Sequence, residues 1–109
     1  MSSISDQIKA TIDQHPIVLF MKGSKTHPQC GFSHFVVQAL NTLGLDFHDV
    51  DVLKDAEIRQ GIKDFSDWPT IPQLYIDGDF IGGADIVRDM MQTGELNALL
   101  QEKGLVSKV

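Results

Sequence analysis

The sequence predicts an α/β fold: a four-stranded mixed sheet flanked by helices, with an extra helix at the N-terminal side. Three observations predict it. The run Ile17-Val18-Leu19-Phe20-Met21 is apolar at every position and rich in β-branched residues, as a central strand covered on both faces requires. A helix-spaced segment from Gly31 to Leu43 separates that run from a second apolar stretch at Phe47, Val50 and Val52. A strand, a helix and a strand joined by so long a connection make a parallel βαβ unit. Finally, Asp77-Gly78 between Leu74-Tyr75-Ile76 and Phe80-Ile81 is a strong hairpin signal, which adds an antiparallel pair.

Taken in order, Ile4, Ile8 and Ile12 recur every four residues among polar neighbours, so Ser3 to about His15 reads as a one-sided amphipathic helix closed by Pro16. After the Ile17–Met21 strand, Lys22 to Gln29 forms a polar loop. In the next helix Phe32, Phe35, Val36, Ala39, Leu40 and Leu43 follow helical spacing, and Gly44 is a C-terminal stop. Asp55 to Phe65 reads as a helix with Ile58, Ile62 and Phe65 on one side. Beyond the hairpin, Gly82-Gly83 leads into a helix carrying Ile86, Val87, Met90 and Met91, and Gly94 separates it from a last short helix, Glu95 to about Lys103. The order α-β-α-β-α-β-β-α-α is that of a thioredoxin-like fold preceded by one helix.

The 109 residues fit one domain, 1–109, large enough for a core without staples. Fifteen Asp and Glu against nine Lys and Arg give a net charge of −6, the wrong sign for general attraction to a phosphate backbone, so nucleic acid is not an expected partner. Apolar runs are far shorter than a bilayer span and no signal-peptide pattern opens the chain, so no membrane association and a cytoplasmic location are expected. A lone cysteine, Cys30, cannot close an intramolecular disulfide, and redox chemistry would need a second thiol from elsewhere.

A single cysteine out of context reads as a small buried hydrophobe. Cys30, however, follows a polar loop and falls at the start of a helix, where unsatisfied amides and the helix dipole favour an anion. The dipole contributes about 0.3 to 1 kcal/mol, less than one pKa unit at about 1.36 kcal/mol. Lys22 and the amides from Gly31 to Ser33 are the further groups able to stabilise a thiolate. The position three residues on, where a dithiol enzyme has its second cysteine, is Ser33, which can cap the helix or bond the thiolate but cannot resolve a mixed disulfide.

Cys30-Gly31-Phe32-Ser33, Trp68-Pro69-Thr70-Ile71-Pro72-Gln73-Leu74 and Gly82-Gly83-Ala84-Asp85 together resemble the monothiol glutaredoxins of the CGFS type. Lys22-Gly23-Ser24 and the long loop to Pro28 add to the likeness, which covers nearly the whole chain. The resemblance implies a glutathione site and a role in carrying [2Fe-2S] clusters. By resemblance, Lys22 and Arg59 bind the glycyl carboxylate, with Lys63 a weaker addition. Ile71, before a Pro72 expected to be cis, offers its backbone to the cysteinyl residue, and Ala84 and Asp85 meet the γ-glutamyl end. Cys30 is then both nucleophile and metal ligand. Such a cluster commonly takes four thiolates, so two copies of Cys30 and two glutathione thiols imply a cluster-bridged homodimer.

The resemblance also implies BolA-like proteins, a cluster scaffold and apo iron–sulfur proteins as partners. Many relatives carry a cysteine at the position of Ala84, and its absence here removes any internal disulfide between the two sites. Trp68 reads either as core packing or as part of an exposed lip, and His27 and His34 as exposed polar residues without a ligating role. The alternative function is a weak glutathione-dependent thiol–disulfide oxidoreductase that removes glutathione from proteins.

Overall fold

The computed structural model describes residues 3–106; the expected domain spans 1–109, and residues 1, 2 and 107–109 lie outside the described residues. Strand β1 (Ile17–Met21) is buried at all five positions. It pairs in parallel with β2 (His48–Asp51) and antiparallel with β3 (Gln73–Ile76), and β3 pairs antiparallel with β4 (Asp79–Gly82). The sheet order is β2-β1-β3-β4.

Successive side chains of a strand point to opposite faces, and β1 uses both. Ile17, Leu19 and Met21 enter one core, with apolar residues of α2 (Gly31–Thr42), α4 (Ala84–Thr93) and α5 (Glu95–Glu102). Val18 and Phe20 enter the other, with Ile8 and Ile12 of α1 (Ile4–Gln14) and Ile62 of α3 (Ala56–Ser66). The expected mixed sheet with helices on both faces is therefore the observed one.

Helix boundaries follow local chemistry. Ser3 caps α1 by accepting the Asp6 amide at 3.1 Å, and the Asp6 carboxylate takes the Ser3 amide in return at 3.4 Å. The helix ends as His15 turns extended before Pro16. Helix α2 closes in a Schellman motif: Leu45 N–H donates to the Leu40 carbonyl at 3.1 Å and Gly44 N–H to that of Asn41 at 2.9 Å. Asp55 caps α3, accepting the amides of Glu57 and Ile58. The Asp77-Gly78 turn has both residues at positive φ, the geometry that suits the twist of a tight hairpin.

The second strand is shorter than the expected stretch from Phe47 to Val52. Phe47 lies just before it, buried under Lys25, whose Nζ sits 4.8 Å from the ring centroid and donates to the Phe47 carbonyl at 2.6 Å. Val52 opens a 3₁₀ turn, Val52–Lys54, because the Asp51 carboxylate accepts the Leu53 amide at 3.0 Å and bends the chain out of the sheet. No helix among the described residues is long and apolar enough to cross a membrane.

Helices α1 and α3 meet at Gly61, where an added Cβ would fall on the Cγ2 methyl of Ile4 and lie 3.2 Å from Ile8 Cδ1. Alanine is ordinarily about 1 kcal/mol better than glycine inside a helix, whereas overpacking costs roughly 1 to 3 kcal/mol. Gly61→Ala is thus expected to lower stability by a net ~1 kcal/mol in urea denaturation. A double-mutant cycle with Ile4→Ala should show the two changes costing less together than their sum.

Candidate functional site

The site forms where β1 hands over to α2. Gln29 N–H donates to the Lys22 carbonyl at 2.9 Å and closes the base of the intervening loop, with Gly23 bridged to Pro28. Gly23 has φ 90°, and a side chain there would drive its Cβ to 2.6 Å from the Gln29 amide nitrogen, so only glycine allows this closure. The loop is tied sideways to β2: Gly23 N–H donates to Asp51 Oδ1 at 3.0 Å and Lys25 N–H to Asp49 Oδ2 at 2.8 Å. These bonds fix where the chain enters α2.

Cys30 is the residue before the first turn of α2, extended and half-buried. The Ser33 amide is the largest influence on its thiol and lowers its pKa; burial pushes the other way, and the Phe32 amide, the Lys22 charge and the Ser33 hydroxyl each lower it further. The balance holds the thiol below the usual cysteine range. Direct donation from helix-end amides thus outweighs the Lys22 cation. Ser33 is fully buried and does not cap α2; its Oγ accepts the Lys22 amide at 3.1 Å, leaving the hydroxyl proton available to the sulfur.

Cys30 opens on a groove of about 470 Å³. One wall is the segment Trp68–Pro72, with Ile71 and Pro72 buried, Trp68 exposed and the Ile71–Pro72 bond cis, as the family resemblance implies. The opposite wall is the start of α4, from Gly83 to Ile86, including Ala84 and Asp85. Lys22 and Lys63 supply the cations of the lining. Gly83 passes close under the first wall: a Cβ on it would lie 3.3 Å from the Pro72 carbonyl oxygen and 3.5 Å from Trp68 Nε1.

Of the residues singled out in the sequence, Lys22, Cys30, Ile71, Ala84 and Asp85 line this groove together. Arg59 does not line it; it is exposed on α3 one turn before Lys63, which does. Asp85 is largely exposed and lies 3.8 Å from Arg88, a neighbour that the motif reading did not weigh although the i, i+3 spacing was visible. Phe32, 63% exposed, and Ile86, also exposed, line the groove as well, although helical spacing groups them with the apolar residues of their helices. Among the described residues no group of three or more His, Cys, Asp or Glu side chains could hold a metal ion.

The glutaredoxin family model matches residues 17–81, from the first residue of β1 into β4. The chain belongs to the glutaredoxin family. Within it the monothiol branch is indicated by curated relatives. The ycf64-like monothiol glutaredoxin of Synechocystis sp. is 54% identical over 102 residues, covering 90% of this chain and 95% of the relative. Probable monothiol glutaredoxin 2 of Rickettsia conorii is 54% identical over 94 residues, covering 86% and 88%. Among solved structures, a monomeric truncated mutant of Trypanosoma brucei 1-C-Grx1 superposes with a TM-score of 0.87 at 37% identity, covering 100% of this chain and 99% of that one. Reduced apo GrxS14 of poplar gives 0.81 at 45%, covering 92% of each. Sequence similarity places it with the monothiol members, and the fold is that of the family.

Because folding favours the thiolate, Cys30 should alkylate with iodoacetamide at a lower pH midpoint in the native protein than in urea. Lys22→Met should raise the native midpoint by less than that difference. A depressed folded pKa contributes stability that is fully present above the unfolded value, about 8.5, and is lost as pH falls through the folded value. The stability of wild type relative to Cys30→Ser should therefore grow as pH rises through that window.

Proposed function

We propose that this monothiol glutaredoxin binds glutathione in the Cys30 groove and carries a [2Fe-2S] cluster between two copies of itself, for transfer to apo iron–sulfur proteins. The observation that carries this reading is one groove holding an acidic, half-buried thiol, two lysines and a carboxylate against a segment that leads into a strand. Glutathione offers the complement: two carboxylates, an ammonium and a thiol on an extended backbone. Lys22 and Lys63 would take the glycyl carboxylate, Ile71 the cysteinyl backbone, and Ala84 and Asp85 the γ-glutamyl end, where the first amides of α4 favour an anion.

The donor set fits a shared cluster. One chain brings one thiolate and no other ligand group of three or more side chains among the described residues, so four-thiolate ligation needs a second copy and two glutathione thiols. The homodimer would last as long as its cargo. A BolA-like protein, a cluster scaffold and apo targets are the proposed macromolecular partners, and a reducing compartment such as the cytoplasm is the proposed setting.

A second reading rests on the depressed thiol alone. Cys30 thiolate attacks the glutathione sulfur of a protein–glutathione mixed disulfide, the protein thiolate leaves, and Cys30 becomes glutathionylated. A second glutathione thiolate then attacks that disulfide, returning Cys30 thiolate and oxidised glutathione. Ser33 lies where a resolving cysteine would stand, buried and bound to the Lys22 amide, so turnover depends wholly on the second glutathione.

Anaerobic reconstitution with iron, sulfide and glutathione, read by visible absorbance and size-exclusion chromatography, tests the carrier. A red-brown dimer requiring both Cys30 and glutathione is expected; a colourless monomer would leave the reductase. Lys63→Ala should weaken glutathione binding about fivefold, the worth of roughly 1 kcal/mol for a partly exposed charged hydrogen bond. Arg59→Ala should weaken it less, as isothermal calorimetry would show. Asp85→Ala should shorten cluster half-life without changing the fold.

A further inference from the structure

Gln73, the first residue of β3, has a side chain wholly shielded from solvent. It does not line the groove. A buried amide must place each of its polar atoms, and this one does. Its Nε2 donates to the carbonyl oxygens of Trp68 at 3.1 Å and Thr70 at 3.2 Å, and its Oε1 accepts the Tyr75 hydroxyl at 3.3 Å. The orientation is forced, because carbonyl oxygens only accept and so must face the NH₂ group.

Trp68 is gripped from its other side as well. Its amide donates to Ser66 Oγ at 3.2 Å and to the Lys63 carbonyl at 3.2 Å, both in the last turns of α3. The segment Trp68–Thr70 is thus strung between the end of α3 and the buried amide at the start of β3. Gly83 runs beneath it with room for little more than a methyl group between the two walls, since a Cβ added there would lie 3.3 Å from the Pro72 carbonyl oxygen and 3.5 Å from Trp68 Nε1. An outward movement of this segment would widen the groove and draw it off the start of α4.

We propose that Gln73 is a positioning residue, which pulls the Trp68–Thr70 lip inward through its two carbonyls and thereby sets the width of the Cys30 groove and its affinity for glutathione. Tyr75 holds the amide in the required orientation from inside the core. An apolar side chain of similar volume would have no polar atoms of its own to bury, but it would release the Trp68 and Thr70 carbonyls and leave the lip held by its bonds to α3, by buried Ile71 and Pro72, and by the packing of Trp68 on Phe80. The lip half of the proposal stands on the hydrogen bonds alone, and the affinity half rests on the glutathione reading above.

Trp68 is the only tryptophan of the chain, so its fluorescence reports on the lip without a label. In Gln73→Leu, the acrylamide quenching constant of Trp68 should rise about twofold or more as the buried hydrogen bonds are lost. The glutathione dissociation constant from calorimetry should rise about tenfold, while the pH midpoint of Cys30 alkylation, set chiefly by the amides of α2, stays close to that of wild type. General loosening of the fold would move all three together and would overturn a positioning role. Unchanged quenching in folded Gln73→Leu overturns the proposal outright, and raised quenching with unchanged affinity overturns the link from lip to groove. If Gln73→Leu does not fold, Tyr75→Phe decides, with the same changes expected at smaller size and no change overturning the proposal. Absence of glutathione binding in wild type would remove the affinity half and the functional reading with it, and Trp68 quenching would still decide the lip.

Discussion

The burial of β1 on both faces is the constraint on which the rest of this structure depends. Five consecutive apolar side chains alternate between two cores, so neither helical layer can shift without the other registering it through the same strand. The strand also has two kinds of neighbour, parallel β2 and antiparallel β3. Its C-terminal end is therefore a junction, where the loop to α2, the approach to β3 and the turn into α4 converge. Cys30 lies at that junction, where a strand buried at every position ends.

Position alone does not make a thiol acidic. The amides at the start of α2 do so, and they can act on the sulfur because Ser33 is sunk into the junction and hydrogen-bonded to Lys22. A residue that replaces the resolving cysteine of dithiol relatives thus has a structural task of its own, joining the end of β1 to the first turn of α2. The loop between them is long, yet Asp49 and Asp51 hold its backbone against β2, so its length does not become slack next to the thiol.

Much of this was legible in the sequence because it is carried by periodicity and local chemistry. The run Ile17–Met21, the spacing within α2 and the Asp77-Gly78 turn each specify their element without help from distant residues. Motifs at Cys30, Trp68–Leu74 and Gly82–Asp85 gave three parts of the groove, and the fold brought them together. What escaped was axial position and long-range bonding. Arg59 and Lys63 share one stripe of α3, and which of them reaches the groove depends on the last turn of that helix abutting Trp68, a contact no spacing encodes. The shortening of β2 escaped for the same reason, since Phe47 and Val52 look strand-like until Lys25 and Asp51 bond around them. Gln73 stood inside a motif whose shape was recognised, but only its burial reveals that it works from beneath.

Tyr75 is the one tyrosine of the chain, sealed in the core with its phenol pushed up to about 12 by burial, while the one tryptophan stands on the lip. The two chromophores that dominate the near-ultraviolet spectrum are thus divided between interior and site, each with its ring packed on Phe80. An absorbance or emission change in this protein carries an address: phenolate appearing in mild alkali announces that the core has opened, and a change confined to indole announces only that something has happened at the groove.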